Sequence, residues 1–566
     1  MSQFVTQMSL MSRDGVIQVR TISVEDSMLR RFRGETLLCR VLAAAAILGL
    51  CGSCSPDQYK AKADKEVYEI IDSKWDDDFG NKSNYMIADS NVPASPNDIQ
   101  VEKVLPESGI LSLAQAVEMA TAHNRNYLRQ KEQLYLIALD LTLARHRFAR
   151  KWFGTIDASY VRNSADESVG SDSRVGFNQL LADGTQIGAS VAIDWARFLT
   201  GDPRTSLGSV LTATVSQPLL RGRGRKIVQE NLTQAERNAL YQLRSFARYR
   251  KTFVVSIVSA YYRVLQRKTT VVNAESSYYR LLESQKRLEL EAEAGMASQS
   301  DVDEAKQKTL SAENNWVQSQ QSYERVLDEF KVSLTLPTDA KVELDPNELQ
   351  HLENMVTDRV DYTEETAIET ALNWRLDFAT SADRVEDAER KVVLAADNLG
   401  TELNLVGSAG VNSTERTKID RLRFHEGTYT LGLEADLPLD RKAERNAYRE
   451  ALISLDQQQR DYEDDRDNVE LEVREALRAL KAEAEGYRIQ KLALELAEDR
   501  LEAQKMLMDV GQSNVRLLLE SEGALLAAQN DVIRSLVEYT IARLSFYRDI
   551  GVLQVKPDGM WEEEVQ

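Results

Sequence analysis

Residues 209–226 read SVLTATVSQPLLRGRGRK. Leu211, Ala213 and Val215 alternate with Thr212, Thr214 and Ser216, the two-residue period of a strand with one apolar and one polar face. Pro218 ends that pattern, and Arg221, Arg223, Arg225 and Lys226 follow it. From 225 to 294 there is neither Gly nor Pro, so a helix of roughly 105 Å is predicted directly behind the strand. The junction recurs downstream. Tyr429, Leu431, Leu433, Ala435 and Leu437 alternate with Thr430, Gly432, Glu434 and Asp436, Pro438 falls within the same turn, and a second long helix is expected over 441–508. A phosphate-binding loop does not fit RGRGRK, which lacks both the glycine spacing and the Lys-Ser/Thr ending.

The recurrence covers most of the chain. AVEMATAHNRN (116–126) pairs with AIETALNWRLD (367–377), SQPLLRGRGRK (216–226) with DLPLDRKAERN (436–446), and GMASQSDVDEA (295–305) with GQSNVRLLLES (511–521). Residues 219–336 and 439–556 are both free of proline. Three matches in the same order at consistent spacing predict an internal duplication. Each half then holds a helix (111–150 or 363–399), strands, a long helix, a glycine and another shorter helix (298–336 or 513–550). The two shorter helices laid end to end match the long one in length. Ala239, Leu243, Phe246, Arg250, Phe253, Ile257, Ala260 and Val264 step by four and three, as do Tyr448, Leu452, Leu455, Gln459, Tyr462, Arg466, Val469, Val473, Ala476 and Leu480, a coiled-coil period. Leu403, Leu405, Gly407, Ala409 and Val411 form one more strand face, and Ile187, Ala189, Val191, Ile193 and Trp195 another. Strands of this kind suit either a sandwich or a transmembrane barrel.

Seventy Lys+Arg against ninety Asp+Glu leave a formal charge of −20, which argues against nucleic acid or anionic headgroups as main partners. The three cysteines, Cys39, Cys51 and Cys54, all lie near the N-terminus, so the body holds no disulfide and no thiolate metal site. Arg30, Arg31, Arg33 and Arg40 precede the apolar run 41–50 and then CGSC, the pattern of a secretory signal over 1–54. Gly52 and Ser53 before Cys54 resemble a lipobox and mark Cys54 as the expected lipid anchor; Cys51, behind bulky Leu50, suits it less. Met28 is an alternative start. No other apolar run is long enough for a spanning helix, so an exported chain of this kind enters a membrane only as a closed barrel. Residues 55–110 are polar and read as an extended linker. His123, His146, His351 and His425 show no catalytic or metal spacing, and neither an enzyme nor a cofactor is expected.

Over 111–552 the chain resembles the TolC-like outer membrane factor family, on LSLAQAVEMATAHN (111–124), the junctions SQPLLRG and DLPLDRK, and the glycine turns before Asp301 and Glu520. The resemblance implies a mainly α fold with β structure: a homotrimer in which each protomer adds about four strands to a shared outer membrane barrel, continued by a periplasmic helical coiled-coil barrel. Two tandem repeats (111–336 and 363–550) would flank an equatorial segment (337–362), with a tail at 551–566. The implied activity is a passive exit duct for a tripartite efflux pump or type I secretion system, anchored in the bacterial outer membrane. Its partners would be a periplasmic adaptor and an inner-membrane pump. Asp301 and Glu520 would be lumen acids at the periplasmic constriction, with Asp303, Glu304 and Glu522 nearby. Gly295 and Gly511 would mark the hairpin tips where an adaptor docks, and Pro218 and Pro438 the strand-to-helix junctions. Two features depart from the family: extra alternating segments near 174–181 and 185–195, and Ser513 where the family has a lumen arginine, Arg516 being the nearest basic residue. A non-channel coiled-coil spacer, or an adaptor, is the alternative; the duplication speaks against an adaptor.

Overall fold

The computed structural model describes residues 4–8, 19–23, 55–76, 79–80, 82, 85–87, 109–162, 167–199, 205–355, 362–414, 418–437, 439–510, 512–556 and 561–563. Its main elements, in chain order, are α1 (Pro56–Lys74), α2 (Leu113–His123), α3 (Arg125–His146), β1 (Lys151–Arg162), β2 (Glu167–Leu180), β3 (Gln186–Phe198), β4 (Thr205–Pro218), α4 (Glu230–Glu293), α5 (Gln299–Ser333), α6 (Glu364–Trp374), α7 (Leu376–Asp397), β5 (Glu402–Thr414), β6 (Thr428–Asp436), α8 (Lys442–Asp509) and α9 (Val515–Asp549). They divide into two compact units: one built on Leu139–Ala235 and Val393–Tyr448, which holds the main sheet, and one built on Ile70–Ala138, Glu236–Val392 and Arg449–Gln566, which is helical.

The helices repeat almost residue for residue. α2 and α6 each have 11 residues, α3 and α7 each have 22, α5 and α9 each have 35, and the long helices α4 and α8 have 64 and 68. The single helices expected over 111–150 and 363–399 are each broken in two at equivalent points. At Asn124 the side-chain oxygen accepts the N–H groups of Asn126 (2.9 Å) and Tyr127 (3.2 Å), starting α3 afresh, while its amide donates to the Ser333 carbonyl. At Arg375 a buried guanidinium grips Asp377 at 2.8 Å and Glu472 at 2.6 Å instead. Two different side chains thus make the same break.

In α4 the coiled-coil seam is buried: Leu243, Phe246, Ile257 and Val264 are closed off, and Phe246 packs against Tyr127 at 5.9 Å between ring centres. The seam of α8 is closed at Val469, Val473 and Leu480 but half open at Leu452, Leu455 and Tyr462. Between α5 and α6 the chain is tied in by a short parallel pairing of Ile110–Leu111 with Glu343–Leu344; Tyr261 donates to the Leu111 carbonyl at 2.9 Å and accepts the Asp345 N–H at 3.2 Å. In the tail, Leu553–Val555 pairs with Trp561–Glu563.

Residues 55–110 are not wholly extended. Pro56 opens a 19-residue helix, a position where the missing N–H costs nothing, and Val67, Ile70 and Ile71 supply a narrow buried stripe. Beyond it Trp75 packs against Phe79 and Tyr85. Three apolar positions late in a charged segment are a weak signal, which is why composition alone reads as linker.

Lys131 in α3 is buried, with its ammonium 5.2 Å from the Tyr127 ring centre, and burial pushes its pKa down to about 8. Between about 8 and its ordinary 10.5 the unfolded chain holds the proton and the folded chain does not, so stability rises with pH across that window. Lys131→Met is therefore expected to raise Tm near pH 7 by a few degrees, about 1 kcal/mol, with the gain shrinking as pH climbs above 8. Thermal melts at pH 7 and pH 10 test this, and a gain independent of pH counts against it.

The main sheet is wholly antiparallel, with its long strands in the order β1–β2–β3–β4–β5–β6. A short strand, Lys418–Leu422, also pairs at the end of β5. The alternating stretches at 211–215, 403–411 and 429–437 are β4, β5 and β6, and β1 is a strand not singled out from sequence. The extra alternating segments form β2 and β3, a full hairpin between β1 and β4. Directly paired residues share a face, so the register assigns the faces without ambiguity. Trp152, Phe177, Ala189, Ala213, Ala409 and Tyr429 form one row across all six strands, and every member is apolar. On the same face lie Ile156, Val175, Val191, Leu211, Leu431 and Leu433. The opposite face carries mainly Ser, Thr, Asn, Gly and Asp: Ser190 bonds Thr212 at 3.1 Å, Ser408 bonds Thr430 at 2.6 Å, and Asp157, Asp172 and Asp194 are direct neighbours in one row.

Candidate functional site

Two places carry the chemistry: the sheet's two faces and the ends of the helical hairpins. On the sheet, large apolar side chains stay exposed, with Trp152 at 67 %, Val175 at 61 % and Leu431 at 78 %. A sandwich would bury that face against a second sheet, and the only other sheets among the described residues are two-stranded. Three carboxylates side by side on the other face repel one another unless water screens them. The arrangement suits apolar surroundings on one side and water on the other.

Pro218 is the last residue of β4 and not the first turn of a helix; a separate turn intervenes before the one-turn helix Arg225–Val228 and then α4. Leu219 donates its N–H to Leu403 of β5, so the ring nitrogen of Pro218 faces the β3 side, where pairing has already ended at Gln186–Ser216. The missing donor leaves no gap in the ladder. Pro438 lies outside the described residues, as do Gly511 and Cys54.

At the first hairpin end, Gly295 has φ +75, and the Met296 N–H reaches back to the Glu291 carbonyl at 2.8 Å, the six-residue closure that a left-handed residue permits. Ser298 then starts α5 by accepting the Asp301 N–H, and the Asp301 carboxylate accepts from the Ser298 N–H (3.3 Å) and Oγ (2.7 Å). The structure thus gives Asp301 a capping role. Asp303 accepts from Gln299 at 3.2 Å one turn along. At the second end, Gln512 donates its N–H to the Leu507 carbonyl, Ser513 bonds Gln504 at 2.7 Å, and Asn514 caps α9. Glu520 is exposed. Leu290, Met296, Met506 and Val510 are exposed apolar residues around these turns.

The two ends pack together through Leu281, Leu288, Val302, Ala305, Val515 and Leu519. At the margin of that core Glu522, 5 % exposed, accepts from Arg280 of α4 at 2.8 Å and meets Lys505 of α8 at 3.5 Å. Arg516 faces Glu304 at 3.6 Å. Of the nearby acids, Glu522 is therefore the one that joins three helices, a role not singled out from sequence. Its spacing held the signal: Val515, Leu519 and Glu522 step by four and three, so the glutamate occupies a seam position. Among the described residues no group of His, Cys, Asp and Glu is placed to hold a metal, and no helix is long and apolar enough to cross a membrane.

Residues 367–552 match the family model described as outer membrane efflux protein. That stretch is about a third of the chain. It takes in α7, β5, β6, α8 and α9 and most of α6, and the matched helix lengths extend the same plan to the first repeat. Solved structures with this fold include the outer membrane protein VceC of Vibrio cholerae (15% identity, TM-score 0.54, 78% of this chain and 96% of that one). The Campylobacter jejuni CmeC outer membrane channel (14%, 0.54, 87% and 93%) and the open-state Neisseria gonorrhoeae MtrE outer membrane channel (13%, 0.56, 78% and 88%) share it too. Curated proteins include no match to the chain. Over most of its length the chain thus shares a fold with these solved channels.

Proposed function

We propose that this chain is the outer membrane exit duct of a tripartite efflux or type I secretion system, a passive conduit from periplasm to exterior that works as a homotrimer. The observation that carries this reading is the main sheet, apolar along one face and polar along the other, with edges at β1 and β6 that pair with nothing among the described residues. Such edges are a liability in water and are removed when copies close a barrel. Exposed apolar stripes at Leu136 and Leu143, at Leu310 and Val317, and at Ile489, Leu492 and Leu496 recur at seven- or three-and-four-residue steps, which suits packing of helices between protomers. The chain is held in the bacterial outer membrane with Cys54 as lipid anchor. The exposed apolar residues around the hairpin turns support adaptor docking there, and an inner-membrane pump supplies the energy. Detergent extraction followed by native mass measurement tests the assembly: a stable trimer is expected, and a detergent-free monomer overturns the reading.

Asp301 and Glu520 are proposed as lumen acids of the closed end. Three copies of each would form rings that favour cations. Asp301→Ala with Glu520→Ala is expected to raise single-channel conductance or lower cation selectivity in planar bilayers. Because Asp301 also caps α5, Ser298→Ala serves as the control, removing about 1 kcal/mol of capping without the charge. If the control reproduces the conductance change, the lumen assignment fails.

A further inference from the structure

The hairpin β2–β3 is too well matched to the rest of the sheet to be a surface decoration. From its geometry we infer that all six long strands cross the membrane, so that three chains close an eighteen-stranded barrel. This inference rests on the exit-duct reading above.

Three observations point the same way. The apolar face of the hairpin is continuous with that of its neighbours: Val175 and Val191 are paired with each other, and Val191 with Leu211 of β4. Within β2 the central part of that face is interrupted by Ser171 and Ser173, small hydroxyls, and its polar residues Glu167 and Gln179 stand at the two ends of the strand. The polar face is continuous as well, with Asp172 and Asp194 beside Asp157 of β1. A hairpin standing in water above a barrel has no need of one apolar side.

The turn of the hairpin settles how far the strands reach. Leu181 donates to the Thr185 carbonyl, and Gly184 takes φ +97 to close it. Any Cβ on Gly184 would come within 2.8 Å of Pro218 Cγ and 2.9 Å of the Gly222 carbonyl oxygen. Gly224 donates its N–H to Asp183, and Thr185 bonds Gln217. The turn is therefore seated on the segment where β4 gives way to helix, at the helical end of the sheet. Strands of 14 and 13 residues run from there through the full height, more than the nine to eleven that a tilted membrane strand needs.

Parity completes the case. With six strands all antiparallel in sequence of neighbours, β1 and β6 run in opposite directions, so the β6 edge of one copy meets the β1 edge of the next antiparallel. Diameter grows about linearly with strand number, so eighteen strands make a barrel about 1.5 times as wide as twelve. That is the range in which barrels hold an aqueous channel.

Imaging the detergent-solubilised full chain tests the count. Eighteen strands are the expected result. A trimer with a twelve-stranded barrel and the hairpin outside it overturns this inference and leaves the duct intact; particles with no barrel overturn both. A second measurement does not depend on imaging. Val175→Cys in β2 and Leu431→Cys in β6 are each labelled, against the parent chain, with a maleimide confined to lipid and one confined to water. Both positions are expected to take the lipid probe and lose the aqueous one. If Leu431→Cys does so and Val175→Cys reacts in water, the hairpin is not in the membrane; if both react in water, the exit duct itself is wrong.

Discussion

Glu522→Ala is expected to free the two hairpin ends from one another, lowering the local opening free energy by about 3 kcal/mol, roughly a hundredfold in amide exchange. The magnitude follows from what is left behind. Arg280 keeps a guanidinium that is 30 % exposed, with Nη2 buried and without a partner, and the core around Leu519 and Val302 loses the group that closed its edge. Removing one member of a buried pair costs more than the pair itself contributes, because the survivor's desolvation is no longer offset. Lys505→Ala is the natural contrast: its ammonium is 52 % exposed and 3.5 Å away, and its loss is expected to cost less than about 1 kcal/mol. Hydrogen exchange on peptides spanning 278–290 and 512–526 reads both. Equal effects of the two variants would show that Glu522 is an ordinary surface acid.

Much of the helical plan was legible because its signals are periodic and repeated. Proline-free runs, glycine turns and the four–three spacing each appear twice, so a chance reading of one half is checked by the other. The breaks at Asn124 and Arg375 escaped, since one is made by an amide and the other by a buried guanidinium, and no shared residue type marks them. α1 escaped because its buried stripe is only Val67, Ile70 and Ile71 in a charged segment. The strands of the inserted hairpin were visible as alternation around 174–181 and 185–195, yet alternation gives a strand its faces and says nothing of its neighbours or its height. Those depend on pairing and on where the turn at Gly184 is seated.

The site was less legible, and for a reason of charge. In a chain with ninety acidic residues, most carboxylates are solvated, and residue type cannot separate the one that is buried. Asp301 stood next to a glycine turn and reads equally as a lumen acid or as the third residue of a helix cap; the structure shows the cap. Glu522 differs only in standing on the same stripe as Val515, Leu519 and Leu525, so its burial follows from the seam and its partners from helices more than two hundred residues away or seventeen residues back.

The sharpest separation between the two faces of the sheet comes from one substitution made on adjacent residues. Leu431 and Thr430 are neighbours on β6, and their side chains point to opposite faces; Leu431 pairs with Gly407 and Thr430 with Ser408. Leu431→Arg puts a guanidinium on the apolar side near the middle of the strand. In a bilayer that costs about 2–4 kcal/mol per copy, and three copies in one barrel about 6–12. Thr430→Arg puts the same group on the polar side, where it loses the 2.6 Å bond to Ser408, about 1 kcal/mol, and stays in water. The expected outcome is little or no heat-stable trimer from Leu431→Arg in outer membrane extracts, and near-normal trimer from Thr430→Arg. A water-exposed sheet would give the opposite ordering or none, because an arginine on a solvated apolar surface costs little. The comparison holds backbone position, residue introduced and strand propensity almost constant, so a large difference between the two can come only from what each face touches.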